Sequence, residues 1–151
     1  MPHRPAHPRR TGRRMIETEK ALVVDVDGTL CPIRQSGESY DDMIPEPRML
    51  ARLRALHAEG WVIILHSARG MRSNNGNAGK IARNVAPGLL RWLDAHGIPF
   101  DELHLGKPWP GRQGFYVDDR AVRPREFVEL GLDDLNALIE RDRIAGPGGQ
   151  A

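Results

Sequence analysis

Residues 23–31 read VVDVDGTLC, an apolar run from Ala21 to Val26 that is broken by Asp25 and followed at once by Asp27, Gly28 and Thr29. A short aliphatic run of this kind predicts a strand covered on both faces, as in a parallel sheet. Alternate residues of an extended strand point the same way, so Asp25 and Asp27 are expected to share a face. Further apolar runs predict strands at WVIIL (61–65), ELHL (102–105) and FYV (115–117). Between the first two, Pro45 and Pro47 open a helical segment. Met49, Leu50, Leu53 and Leu56 recur in it at helical spacing, and Gly60 stands at the stop position. A second helix is entered near Pro87, with Leu89, Leu90, Trp92 and Leu93 inward and Gly97 at its end. A last one begins near Asp133, striped by Leu135, Leu138 and Ile139. This alternation predicts an α/β fold, a three-layer α/β/α Rossmann-like arrangement with a mostly parallel sheet and helices on both faces.

The chain has 151 residues, 40% hydrophobic and 28% charged, enough for one domain with a real core. No apolar run has membrane-spanning length and no signal-peptide pattern opens the chain, so a cytoplasmic protein without membrane contact is expected. A single cysteine, Cys31, has no intramolecular disulfide partner and no neighbouring thiol for a metal cluster, which fits a reducing compartment. The formal charge of +2 is uneven: residues 1–14 hold five arginines and no acid, so the rest of the chain is mildly acidic. Three segments follow: a disordered basic leader at 1–14, a folded domain at 15–144 and a flexible tail at 145–151. No aromatic residue interleaves the leader's charges, which speaks against a nucleic-acid-binding arm.

In open parallel sheets, ligands bind outside the carboxyl ends of the strands. The polar residues at those ends are Asp25 and Asp27, then Ser67, then Gly106 and Lys107, then Asp118 and Asp119. Each alone has an ordinary reading: an Asp caps a helix, Ser-Ala-Arg-Gly makes a turn, a Lys is solvated. Together they bring four acids, a hydroxyl and an ammonium to one crevice. Two unit charges about 4 Å apart repel by roughly 4 kcal/mol at an effective dielectric of 20, so four gathered acids call for a cation. A hard divalent ion, Mg²⁺, suits carboxylate oxygens and leaves room for phosphate.

Asp-Val-Asp-Gly-Thr at 25–29, Ser67 after an apolar strand, Gly106-Lys107-Pro108 and Val117-Asp118-Asp119 resemble the four ordered motifs of the haloacid dehalogenase (HAD) superfamily of phosphohydrolases. The resemblance covers about residues 20–130. More narrowly, IPEP, HSARGMRSNNGNAGKI (66–81), WLDAHGIPFDELHLGKPW (92–109) and GFYVDDRAVRPREF (114–127) resemble a group described as capsule-biosynthesis phosphatases. The resemblance implies a HAD-like fold and a Mg²⁺-dependent phosphomonoester hydrolase acting on a small phosphorylated metabolite, plausibly a sugar phosphate. Asp25 would be the nucleophile, forming an aspartyl-phosphate, and Asp27 the acid and base. Ser67 and Lys107 would bind and neutralise the phosphoryl group. Asp25, Asp27, Asp118 and Asp119 would hold the metal, and Gly28, Thr29, Ser67, Ala68, Arg69 and Lys107 would contact substrate. A polynucleotide end phosphatase is the alternative enzyme, although nucleic acid is not the expected partner. A phosphate-sensing module that has kept its motifs without turnover is the alternative from another class. A response-regulator receiver is disfavoured, because there the paired acids come first and the Lys last.

About 30 residues separate the first motif from WVIIL, room for a flap around Gly37 but for no large cap domain. An open site of this kind admits bulky phosphates or closure by a second subunit, so a homo-oligomer is plausible. Arg69, Arg72, Asn74, Asn75, Asn77 and Lys80 form a polar loop suited to leaving-group recognition, with Arg69 first among them; His66 and Trp109 flank the motifs. One departure from the family pattern stands out: only PWPGRQG (108–114) joins Lys107 to the expected fourth strand. A parallel crossover takes a dozen or more residues, and seven extended residues reach at most about 25 Å.

Overall fold

The structure, a computed structural model, describes residues 19–146. The expected leader at 1–14 and the last five residues of the expected tail lie outside the described residues. Ala145 and Gly146 are exposed and have no regular structure.

Three parallel strands, β1 (Ala21–Val24), β2 (Val62–Ser67) and β3 (Glu102–Leu105), form a sheet in the order β1-β2-β3. Val24 pairs with Leu65, and Ser67 with Leu105, so the carboxyl ends of the strands lie together. The central strand is the most apolar, and Val62, Ile63, Ile64 and Leu65 are all buried, as a strand covered on both faces requires.

Helix α1 (Pro47–Ala58) follows the flap, which carries a single 3₁₀ turn at Tyr40–Asp42. Pro47 supplies a preset φ in the first turn, and the Glu46 carboxylate accepts a 2.6 Å hydrogen bond from the Met49 amide, capping the helix. Its spacing buries Met49, Leu53 and Leu56 against the sheet side of the core. The chain then crosses β2 to α2 (Ala78–Asn84) and α3 (Ala86–Ala95), and passes β3 to α4 (Pro124–Glu129) and α5 (Leu132–Arg141). Leu89, Trp92 and Leu93 of α3 are buried as the spacing predicts, whereas Leu90 turns outward. The Trp92 indole donates to the Met43 carbonyl at 2.8 Å, tying α3 to the entry of α1.

The fourth strand expected at 115–117 does not form. Phe115, Tyr116 and Val117 are 78%, 52% and 88% exposed and have no regular structure. The cause lies in the short connection: the chain turns at 111–113 and folds back on itself. The Tyr116 hydroxyl donates to the Pro108 carbonyl at 2.6 Å, and Gly114 sits so close to the Pro110 carbonyl that a Cβ there would collide with it. β1 is left as a sheet edge, and Val23, expected to be covered, is 63% exposed.

Candidate active site

Strand β1 ends at Val24, one residue short of the first acid, and the chain enters a tight turn. The amides of Thr29 and Leu30 donate to the Val26 carbonyl at 3.1 and 2.8 Å, and Gly28 takes φ +86°, a conformation open to glycine and strained for other residues. Asp25 and Asp27 therefore reach a common cleft from a turn and not from a continued strand. The cleft holds about 700 Å³ and is lined by both acids, by Arg34 and Tyr40 of the flap, by Ala68, Arg69 and Arg72 after β2, and by Trp109 and Tyr116 after β3.

Each acid meets its own cation. Lys107 Nζ lies 3.5 Å from Asp25 Oδ1. Arg69 grips Asp27 with a two-pronged fork, Nε donating to Oδ2 at 3.0 Å and Nη2 to Oδ1 at 2.8 Å, with the Arg69 side chain almost wholly buried. Burial pushes the Asp25 carboxyl above its ordinary value of 3.8, and the Lys107 charge opposes that rise. The Cys31 thiol, buried beside Asp27, is pushed up to about 11 by burial and by that carboxylate. Burial, then the Lys107 charge, lowers His66 below 6.5, so its ring is neutral at pH 7.

Ser67 is buried at the end of β2, where its hydroxyl accepts from the Arg69 amide at 3.0 Å and its carbonyl accepts from the Lys107 amide at 3.1 Å. It thus braces the two cation-bearing loops. The amides of Gly28 and Thr29, expected to face substrate, are used within the turn, Gly28 donating to the Cys31 carbonyl at 2.8 Å.

Asp118 and Asp119 are exposed, and the Asp118 carboxylate accepts from the Arg120 amide at 2.8 Å. Among the described residues no group of three or more His, Cys, Asp or Glu side chains is arranged to hold a metal ion. Of the four acids expected around the metal, Asp25 and Asp27 line the cleft, paired with Lys107 and Arg69, while Asp118 and Asp119 are exposed and are not among its lining residues. With no third carboxylate among the described residues gathered beside Asp25 and Asp27, a Mg²⁺ ion here would rest on one or two carboxylates and keep several waters, as that ion usually does.

Of the polar loop after Ser67, Arg69 and Arg72 line the cleft. Asn74 and Asn77 instead shape the loop: Asn74 Nδ2 donates to the Gly70 carbonyl at 2.9 Å, and Asn77 caps α2 by accepting from the Lys80 amide at 3.0 Å. Lys80 and Asn75 are exposed. Among the lining residues, Arg34, Tyr40 and Tyr116 were not foreseen. Arg34 and Arg69 both lie against the Tyr40 ring, at 4.7 and 4.0 Å from its centroid, and Lys107 Nζ lies 4.2 Å above the Tyr116 ring. The tyrosines' sequence surroundings do not mark them: Tyr40 stands among Glu38, Asp41 and Asp42, and Tyr116 between Phe115 and Val117.

No family model and no curated protein matches the chain. Among solved structures, a crystal structure of a protein from Vibrio cholerae, known by a target designation alone, is 43% identical, with a TM-score of 0.78, over 82% of this chain and 99% of that one. The chain belongs to that protein's family. The two chains share a fold over most of their length, and the designation of the Vibrio cholerae protein carries no activity. A D,D-heptose 1,7-bisphosphate phosphatase from B. bronchiseptica, crystallised with magnesium and phosphate, is 18% identical over 62% of this chain and 53% of its own, with a TM-score of 0.43, too distant to decide anything about this family. No helix among the described residues is long and apolar enough to cross a membrane.

Proposed function

We propose that the chain is a phosphomonoester hydrolase of the HAD type, with the three-layer arrangement of that fold and no large cap. The observation that carries this reading is the pair Asp25 and Asp27, set in one cleft at the carboxyl end of β1 and each held by its own cation. An Asp25 carboxylate oxygen attacks phosphorus in line. The bond from phosphorus to the leaving oxygen breaks, and Asp27 gives that oxygen its proton. Water then attacks the phosphorus of the aspartyl-phosphate, Asp27 takes the water's proton, and Asp25 leaves as carboxylate with inorganic phosphate released. Arg69 forks Asp27, so the first step needs that fork to pass to the phosphoryl oxygens, which offer the same two-pronged geometry, and Asp27 to have taken from water or the incoming phosphate the proton it then gives to the leaving oxygen. Lys107 offsets charge on Asp25 and on the incoming phosphoryl group, while Ser67 fixes the loops that carry both cations.

The expected substrate is a small phosphorylated metabolite, of which a sugar phosphate is the first to test, and the resemblance to the capsule-biosynthesis group is part of that expectation. Mg²⁺ is the expected cofactor, with Asp25 and Asp118 its candidate carboxylates. Phosphate release from an aryl phosphate tests the reading. Asp25→Asn should lower turnover at least about 10³-fold, since nothing else in the cleft forms the covalent intermediate. Wild-type turnover in that variant would end the nucleophile assignment. Turnover that survives exhaustive chelation would remove the metal and leave Asp25 in place.

A further inference from the structure

We infer that the cleft takes a phosphomonoester whose remainder carries a second anionic group, a carboxylate or another phosphate, and that Arg72 binds this group. The inference rests on the phosphatase reading for the position of the reacting phosphate and goes beyond it in naming the substrate class.

The argument is one of charge and hydrogen-bond pairing. Among the described residues, Asp25 and Asp27 are the only acids lining the cleft, and Lys107 and Arg69 already pair with them. Two further guanidinium groups, those of Arg34 and Arg72, line the same cleft and have no acid to answer them. Arg34 is engaged locally: it donates to the Glu38 carbonyl at 2.9 Å and lies against Tyr40. Arg72 is different. Among the described residues its guanidinium has no hydrogen-bond or ion-pair partner, and its one contact of note is the Trp109 ring, 5.9 Å from the guanidinium carbon. An arginine fork has five N–H donors in a fixed plane, and an aromatic face that receives the plane limits its orientations without using any donor. Arg72 is exposed where it lines the cleft, so its donors are open to a group that enters. A neutral hydroxyl can take one of them. A carboxylate or phosphate takes two, with charge, and gains most from a fork already oriented.

Three probes of similar size separate the cases: glucose 6-phosphate with a neutral remainder, 6-phosphogluconate with a carboxylate, and fructose 1,6-bisphosphate with a second phosphate. Binding is measured by calorimetry on full-length Asp25→Asn protein, which holds substrate without turning it over, and kcat/KM is measured on the unsubstituted protein. At least one anionic probe should bind about tenfold or more tighter than glucose 6-phosphate, the range expected of a charge-assisted fork. Arg72→Gln should abolish that ratio, and Arg72→Lys should restore it in part, since the charge returns without the fork. Preference for 6-phosphogluconate alone or for the bisphosphate alone supports the inference and identifies the group. Equal binding of all three probes, or a preference untouched by Arg72→Gln, overturns it. Binding with the expected preference but no hydrolysis of any probe by the unsubstituted protein would instead remove the phosphatase reading and leave Arg72 as an anion-binding residue.

Discussion

At Asp25 two opposing effects act on one carboxyl group: burial raises its pKa, and the Lys107 ammonium 3.5 Å away lowers it. In the proposed mechanism Asp25 attacks as a carboxylate, so activity should grow as pH rises through its folded-state value. Because that value lies above the ordinary 3.8, the acid limb of kcat/KM is expected at higher pH than an unperturbed aspartate would set it. Lys107→Met removes the charge that lowers the pKa, and the limb should move to still higher pH along with the loss of rate; a limb that stays put or moves down would contradict this electrostatic account. Asp25, Asp27, Ser67 and Lys107 were legible in the sequence because each follows an apolar run, and strand ends are where a parallel sheet presents polar groups. Tyr40, Arg34 and Tyr116 were not. They reach the cleft from segments with no periodicity, where the backbone path decides direction and residue type does not.

The elements that sequence predicts well are those with several buried residues at one period. Helix α1 has three such residues between a proline start and a glycine stop, and α3 has three more. Helices α2 and α4 escape notice for the opposite reason: they have seven and six residues and bury only Ile81 and Phe127. The expectation of a strand at 115–117 fails differently. Its residues have strand preference, but strand formation needs a neighbour, and the seven-residue connection turns the segment back before it reaches one. Turns also carry a testable cost. Gly70 has φ +80°, and a Cβ there would overlap the Val85 side chain, whereas Gly111 has φ +76° and open space around it. Gly111→Ala should cost about 1 kcal/mol for the left-handed backbone alone, and Gly70→Ala clearly more, about 2–4 kcal/mol. Urea unfolding of both variants compares them, and equal losses would show that the Val85 contact yields freely.

On the scale of the molecule, one apolar cluster joins the sheet to its helices, running from Val24 and Val26 through Leu53, Ile63 and Leu65 to Leu93 and Phe127. The turn bearing both acids is rooted in it, since Val26, Leu30 and Cys31 are core residues, and disruption of the core should reach the acids directly. That β1, β2 and β3 run parallel was legible from alternating strand and helix patterns; their order was not. The bare outer edge of β1 was not, since it follows from a loop's path and not from the strand's own residues.

That lone sulfur at position 31 also gives the protein an internal clock. Buried, and with a thiol pushed to about 11, Cys31 offers almost no thiolate at neutral pH, so iodoacetamide should leave the native state unmodified for hours while capping the denatured chain quickly. In mild denaturant, the alkylation rate read by mass spectrometry should then follow the opening of the acid-bearing turn itself. Bound phosphate analogue should slow it with no turnover required. Prompt modification without denaturant would mean that this turn opens far more readily than its place in the core implies.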